Sequence, residues 1–70
     1  MIAENDLRID TGRAEGGTFV RIVHVPTGIS RVQMPPLGGG KAQRQTRARL
    51  LREIEQELRA RGLLEFLLEP

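Results

Sequence analysis

The sequence predicts an α+β fold, a small antiparallel three-stranded sheet with one long C-terminal helix packed on it. Two observations predict the sheet: apolar and polar residues alternate early in the 70-residue chain, and two runs rich in β-branched residues follow, each bounded by turn residues. A third observation predicts the helix, because apolar residues recur at helical spacing at Leu50, Leu51, Ile54 and Leu58. We expect a single domain, residues 1–70, since so short a chain encloses one small core.

The first strand is predicted over residues 6–12, where apolar and polar residues alternate. The second is predicted over residues 19–25, which are rich in Val and Ile. The connection between them contains Gly16 and Gly17. Because paired glycines suit the primed turns that match strand twist, we expect a tight antiparallel hairpin here.

A Pro26-Thr27-Gly28 turn precedes the third strand, which is predicted over residues 29–34. Pro26 presets φ, and Gly28 accepts positive φ without a Cβ clash. The second and third strands therefore form another hairpin, and the three strands form a meander.

Residues 35–40 are predicted to link the sheet to the helix, because two prolines lack amide donors and three glycines favour irregular backbone. The helix follows over residues 41–61, and Gly62 is typical of a C-terminal cap. At about 100° per residue, its apolar residues share the face that packs on the sheet. The opposite, wet face carries Lys41, Gln45, Arg49, Arg52 and Arg59.

The tail, residues 62–70, is strongly apolar for the end of a chain. It predicts either a last helical turn that covers the sheet edge or a self-association surface, because a small chain with few aromatic residues gains stability by burying area between subunits. A homo-oligomer or a protein partner would contact this surface through Leu63, Leu64, Phe66, Leu67 and Leu68.

Composition argues against several classes of site. The chain has no cysteine, and a single histidine with scattered carboxylates argues against a structural zinc site, so we expect no metal and no cofactor. No apolar run has the length of a signal sequence or a membrane span. We therefore expect no membrane contact and a cytoplasmic location.

The net charge is only +2, but the positive charge is concentrated on the predicted helix, and residues 41–49 contain no acid. Arg47 lies in line with the apolar stripe but a turn earlier, so the helix is expected to project past the sheet there. Such a basic run favours polyanions as partners, with a solvated helix face as the alternative. Because no aromatic residues are interleaved, we expect charge-driven RNA binding through Lys41, Arg44, Arg47, Arg49 and Arg52.

Two runs resemble the catalytic domain of class I peptide chain release factors, in the peptidyl-tRNA hydrolase domain superfamily. The first is Asp6-Leu7-Arg8-Ile9-Asp10 followed by Arg13-Ala14. The second matches one by one at Val20, Arg21, Ile22, His24, Pro26, Thr27, Gly28 and Ile29. The resemblance covers residues 6–58. It implies the same sheet-and-helix fold, with a helix whose basic residues lie near ribosomal RNA.

The catalytic loop of that family is missing from this chain. In release factors a long loop carrying Gly-Gly-Gln enters the peptidyl transferase centre, where the glutamine helps to place the attacking water. Here only residues 15–19 stand in its place, and so short a turn cannot reach a distant cavity. We therefore expect no catalytic residue and no enzyme activity. The alternative is a degenerate peptidyl-tRNA hydrolase that depends on Gly17 and Thr18.

Three other groups invite a functional interpretation. His24 is the only histidine, but no Ser or Cys is positioned as a nucleophile, so we expect it to orient the Pro-Thr-Gly turn. Residues 38–41, Gly-Gly-Gly-Lys, lack Walker spacing, so simple phosphate contact is expected there rather than nucleotide binding. The carboxylates of Asp6 and Asp10 are expected to form cross-strand ion pairs with Arg21 or Arg31.

The sequence thus predicts a non-catalytic release-factor-like domain, a ribosome- or RNA-associated accessory protein in translation. A protein-interaction or oligomerisation module on the same scaffold is the alternative.

Overall fold

The computed structural model describes residues 1–34 and 40–67. Three strands, β1 (Leu7–Ala14), β2 (Gly17–His24) and β3 (Ile29–Gln33), precede one long helix, α1 (Gly40–Ala60). Short 3-10 turns at Glu4–Asp6 and Leu64–Phe66 flank these elements. The strands form one antiparallel sheet in the order β1-β2-β3, and α1 packs on one face of it. The predicted α+β fold is confirmed.

The element boundaries lie within about two residues of the predictions, as is usual for ends defined by fraying hydrogen bonds. The first strand begins one residue later than predicted because Asp6 belongs to a 3-10 turn. Most of the predicted linker, residues 35–39, lies outside the described residues, and Gly40 is the first residue of α1.

The connection between β1 and β2 is a two-residue turn, Glu15-Gly16, closed by the pair of Ala14 and Gly17. Gly16 has a φ of 92°, whereas no described residue other than glycine has positive φ. A primed turn requires positive φ at its first central residue, which here is Glu15. The expected tight antiparallel hairpin is therefore confirmed, but its turn is not a primed one, because positive φ at the second central residue alone is typical of a type II turn.

The second hairpin agrees with the prediction. His24 and Ile29 close it, and the Gly28 N–H donates to the His24 carbonyl at 2.8 Å. Gly28 has a φ of 76°, the conformation for which a glycine was expected at this position.

The core lies between α1 and the middle strand. Leu50, Ile54 and Leu58 of the helix pack with Val20 and Ile22 of β2, and all five are fully buried. No residue in the range 40–49 is buried, so the first half of α1 extends past the core, as the position of arginine 47 predicts. None of the described helices is both long and apolar enough to cross a membrane.

The helix ends at a glycine cap. The Leu63 N–H donates to the Leu58 carbonyl at 2.9 Å, and the Gly62 N–H donates to the Arg59 carbonyl at 3.1 Å. Gly62 has a φ of 72°. These two bonds define a Schellman motif, so the predicted cap is confirmed.

The apolar tail folds back onto the core. Leu67 is buried and forms an antiparallel bridge with Ile2, while Leu63 and Phe66 pack partly buried against the core. Leu64 is 57% exposed. Leu68, the remaining residue of the predicted partner surface, lies outside the described residues. The described tail therefore covers the chain's own core, with Leu64 directed to solvent.

Replacing Gly62 with Ala should lower the free energy of unfolding by about 1 kcal/mol, because an L-residue pays that much to adopt left-handed backbone. No described atom lies within 4 Å of an added Cβ at this position, so the backbone conformation alone causes the loss. Urea unfolding measures it. Gly40→Ala is the matched control, since that position is equally open but helical, and it should cause no loss. Equal stability of the two variants would contradict the prediction.

Candidate nucleic-acid interface

The residues predicted to contact RNA all lie in the first part of α1, between Gly40 and Arg52. This segment contains no acidic residue. Arg47 is half-buried, and the other four predicted contacts, Lys41, Arg44, Arg49 and Arg52, are exposed. Four of these bases, Lys41, Arg44, Arg47 and Arg49, precede Leu50, the first buried residue of α1, and Arg52 follows it at an exposed position.

Lys41 lies in the first turn of α1, where a base stabilises a helix least. The N-terminus of an α-helix carries a partial positive charge, so acids are favourable in its first turn. The first turn of α1 contains none. The excess of positive charge is therefore not explained by helix stability, and it adds to the partial positive charge of the helix end to attract anions.

An open groove runs along one side of this half-helix. Gln45, Arg49 and Arg52 lie at the i, i+4 and i+7 spacing that aligns side chains on one face. The groove is lined by Ala42, Gln45, Thr46, Arg49 and Arg52. Amide, hydroxyl and guanidinium donors of this kind suit the oxygens of a nucleic-acid backbone.

Arg49 also fastens the helix to the sheet. Its Nη1 lies 3.3 Å from Glu53 Oε2, and its Nη2 donates to Gln33 Oε1 on β3. The pairing with Glu53 follows from the i, i+4 spacing of the two residues, whereas the contact with Gln33 had no signal in the sequence. Within the described ranges, no carboxylate forms an ion pair with the other predicted contacts, Lys41, Arg44, Arg47 and Arg52.

Apart from the pair of Glu53 with Arg49, the acids of α1 are engaged by groups outside the predicted RNA contacts. Arg31 on β3 lies 3.0 Å from Glu57 Oε1 and 3.8 Å from Glu53 Oε1. Hydrogen bonds from Arg31 and then Arg61 hold the pKa of Glu57 below its ordinary value of 4.5. Glu55 lies 3.5 Å from the N-terminal amine. The acidic second half of the helix is thus neutralised locally, and the basic first half is not.

Cross-strand pairing of Asp10 is confirmed. Arg21 donates to Asp10 Oδ2 at 3.0 Å, and Arg8 donates to Oδ1 at 3.2 Å. The hydrogen bond from Arg21, with a further one from Arg8, lowers the pKa of Asp10 below its ordinary value of 3.8. Arg31, the other predicted partner, pairs with the helix instead, because its side chain lies on the face of the sheet that α1 covers.

His24 is fully buried at the end of β2. Its Nδ1 lies 2.7 Å from Thr27 Oγ1, and that oxygen also accepts the Ile29 N–H at 3.3 Å. The same hydroxyl donates to the His24 carbonyl at 3.5 Å, so Thr27 joins the imidazole, the end of β2 and the start of β3.

Nε2 finds no hydrogen-bond partner among the described residues. Phe66 lies edge-to-face against the imidazole, with ring centroids 5.0 Å apart. His24 therefore holds the turn to β3 through Thr27 and packs on the tail through Phe66. This geometry agrees with the structural role expected of it.

The two residues on which the alternative of a degenerate hydrolase depends lie in the sheet. Gly17 and Thr18 belong to β2 and pair with Ala14 and Arg13 of β1. Only the two-residue turn before them projects from the hairpin. Of the phosphate-loop candidate, residues 38 and 39 lie outside the described residues, while Gly40 and Lys41 begin α1. No group of ligand side chains able to hold a metal ion occurs in the part of the chain that the structure describes.

Comparison of the chain with protein-family models, curated proteins and solved structures finds no match. The similarity to release factors stays a prediction that depends on the two runs of residues that carry it.

Replacing Thr27 with Val should destabilise the fold by about 1–3 kcal/mol, because it leaves both ring nitrogens of a buried histidine without a partner. The change also removes the acceptor of the Ile29 N–H. Thr27→Ser retains the hydroxyl and is the matched control. Thermal unfolding of the three proteins measures the difference, and a valine variant as stable as the serine variant would contradict this role of Thr27.

Acidification should weaken the ion pairs of Asp10 and Glu57. Because the folded-state pKa of each is lowered, their stabilising contribution is complete above the unfolded-state pKa and is lost as the pH falls through the folded-state value. Measured from about pH 6 to about pH 2, the midpoint temperature of thermal unfolding should therefore begin to fall once the pH is below about 5. The double variant Asp10→Asn, Glu57→Gln should fall less steeply, and an unchanged slope would exclude these two groups as the cause.

Proposed function

We propose that this protein is a non-catalytic, release-factor-like domain that binds structured RNA, including ribosomal RNA, through the acid-free segment of α1, residues 40–52. The contacts are Lys41, Arg44, Arg47, Arg49 and Arg52. The observation that carries the proposal is the separation of charge along one helix: an acid-free basic half extends past the core, and an acidic half is neutralised by Arg31, Arg61 and the N-terminal amine.

The chemistry of the surface favours contact with the RNA backbone over reading of bases. The two phenylalanines of the chain are Phe19 on the sheet and Phe66 in the tail, so α1 presents no ring on which a base could stack. Guanidinium and ammonium groups neutralise phosphates and release counterions. Binding should thus depend strongly on salt and weakly on sequence.

Two features support a non-catalytic role. Ester hydrolysis of the release-factor kind needs a loop that carries backbone donors and a water-positioning side chain into a distant site. In this chain Gly17 and Thr18 are held in the β1–β2 ladder. His24 is sealed in the core with its Nδ1 engaged by Thr27.

Charge reversal on the helix should reduce affinity for structured RNA. We expect Arg44→Glu and Arg52→Glu each to weaken binding to a ribosomal RNA fragment and to lower the slope of log affinity against log salt by about one unit. Both residues are exposed and make no ion pair with the described carboxylates, so their loss leaves the fold intact. Fluorescence anisotropy between about 50 and 200 mM salt measures both quantities.

The matched control is Arg13→Glu, which makes the same change in net charge at an exposed position on the sheet. It should leave affinity and slope close to those of the unmodified chain. An equal loss for all three variants would indicate nonspecific attraction to total charge, and binding that is insensitive to salt would remove the proposal.

A further inference from the structure

The first strand has a free edge. β1 is eight residues long, lies at one side of the sheet and pairs with β2 alone among the described elements. An edge strand of this length presents a row of backbone donors and acceptors that can pair with another strand.

The backbone groups at this edge belong to the odd-numbered residues. The Asp6 carbonyl accepts the Val25 N–H at 2.8 Å, and these two residues are the next pair of the register beyond Leu7 and His24. In an antiparallel ladder, hydrogen-bonded and non-hydrogen-bonded pairs alternate. The even-numbered residues of β1 therefore bond to β2. Ile9 and Thr11 direct their N–H and C=O groups to the free edge, and Leu7 directs its C=O group there, while its N–H donates to the Glu4 carbonyl.

The side chains of these same residues lie on the face of the sheet that α1 occupies, because they are paired with the buried residues of β2. The helix packs over β2 and β3 and leaves this part of β1 uncovered. Ile9 is 44% exposed although its cross-strand neighbour, Ile22, is fully buried. The free edge thus has an apolar residue at its middle, next to the core.

We propose that β1 pairs antiparallel with β1 of a second copy of this chain, about a two-fold axis through Ile9. Ile9 then faces the partner's Ile9, and Leu7 faces the partner's Thr11. On the other face of the sheet, Arg8 lies opposite the partner's Asp10, and the symmetry repeats this contact on the other side of the axis. The strand is self-complementary in apolar contact and in charge.

Charge selects this register over its neighbours. An axis at Asp10 places that residue opposite the partner's Asp10, and like charges directly opposite are destabilising. An axis at Thr11 places Ile9 opposite the partner's Arg13. Only the axis at Ile9 joins the apolar residues and also pairs opposite charges at Arg8 and Asp10.

The result is a continuous six-stranded sheet held by about four backbone hydrogen bonds between the edges, because the Leu7 N–H is engaged within its own chain. Because a two-fold axis normal to the sheet preserves its faces, both helices lie on the same side. The pairing uses none of the residues proposed to contact RNA, so the two proposals can fail independently.

Symmetric cross-linking tests the register. The chain has no cysteine, so Ile9→Cys and Thr11→Cys each introduce a single thiol at an exposed position. At the axis the two Cα atoms are about 5.5 Å apart, within reach of a disulfide. The two Thr11 positions are more than about 13 Å apart in this register. Under mild oxidation Ile9→Cys should form a covalent dimer much faster than Thr11→Cys. Equal rates, or a faster Thr11→Cys, would overturn the proposed pairing.

Sedimentation equilibrium of the unmodified chain tests association itself. We expect the mass to rise from 7.8 kDa towards twice that value as the concentration approaches about 1 mM. Arg8→Asp, which faces the partner's Asp10, should shift this rise to higher concentration, whereas Arg13→Asp, outside the paired segment, should not. A mass of 7.8 kDa throughout would overturn the proposal. So would association that is lost with Leu64→Asp but unaffected by Arg8→Asp, because it would locate the contact in the tail.

Discussion

One apolar stripe of α1 packs on the middle strand, β2, and the other features of the fold follow from this contact. Leu50, Ile54 and Leu58 meet Val20 and Ile22 in a core that is fully buried at these positions. A helix is about 10 Å wide and strands lie about 4.8 Å apart, so one helix covers about two strands. The third strand stays partly uncovered. The 21-residue helix, about 31 Å long, likewise has more length than the core can bury.

The two halves of the helix therefore differ in what the core requires of their side chains. In the second half, Glu53 and Glu57 must pair with arginines because they flank the buried stripe, and Arg31 reaches them from β3. The first half has no buried position, so its composition is free of packing requirements. It nevertheless carries four bases and no acid, and Lys41 lies in the first turn, where the helix dipole disfavours a base. The core does not require this composition, and the proposed contact with an anion is argued from it.

Local features of the sequence were sufficient to predict most of the fold. The 3.6-residue period identified the buried face of α1, and Gly62 identified its end, because each depends on residues close in the chain. The bridge of Ile2 with Leu67 was not predictable, since it joins two short segments with no period of their own. The bases of the candidate site were recognisable as a run, but the contact of Arg49 with β3 depends on how the helix docks, which no local pattern encodes.

β1 is partly uncovered and the first half of α1 is free of the core for the same reason: a single helix packs on the sheet, and the core is small. If two copies join at β1, the two free edges pair with each other, and the joined sheet carries two helices on the same face. Each half-helix then presents its bases from one rigid body, and the second contact with an extended polyanion becomes intramolecular, which raises avidity without any new contact. Under the proposed function, a 70-residue chain that contacts RNA through five charged side chains would bind weakly alone. Pairing at the edge of β1 would therefore raise the affinity for RNA of a fold whose small core cannot support a larger binding surface.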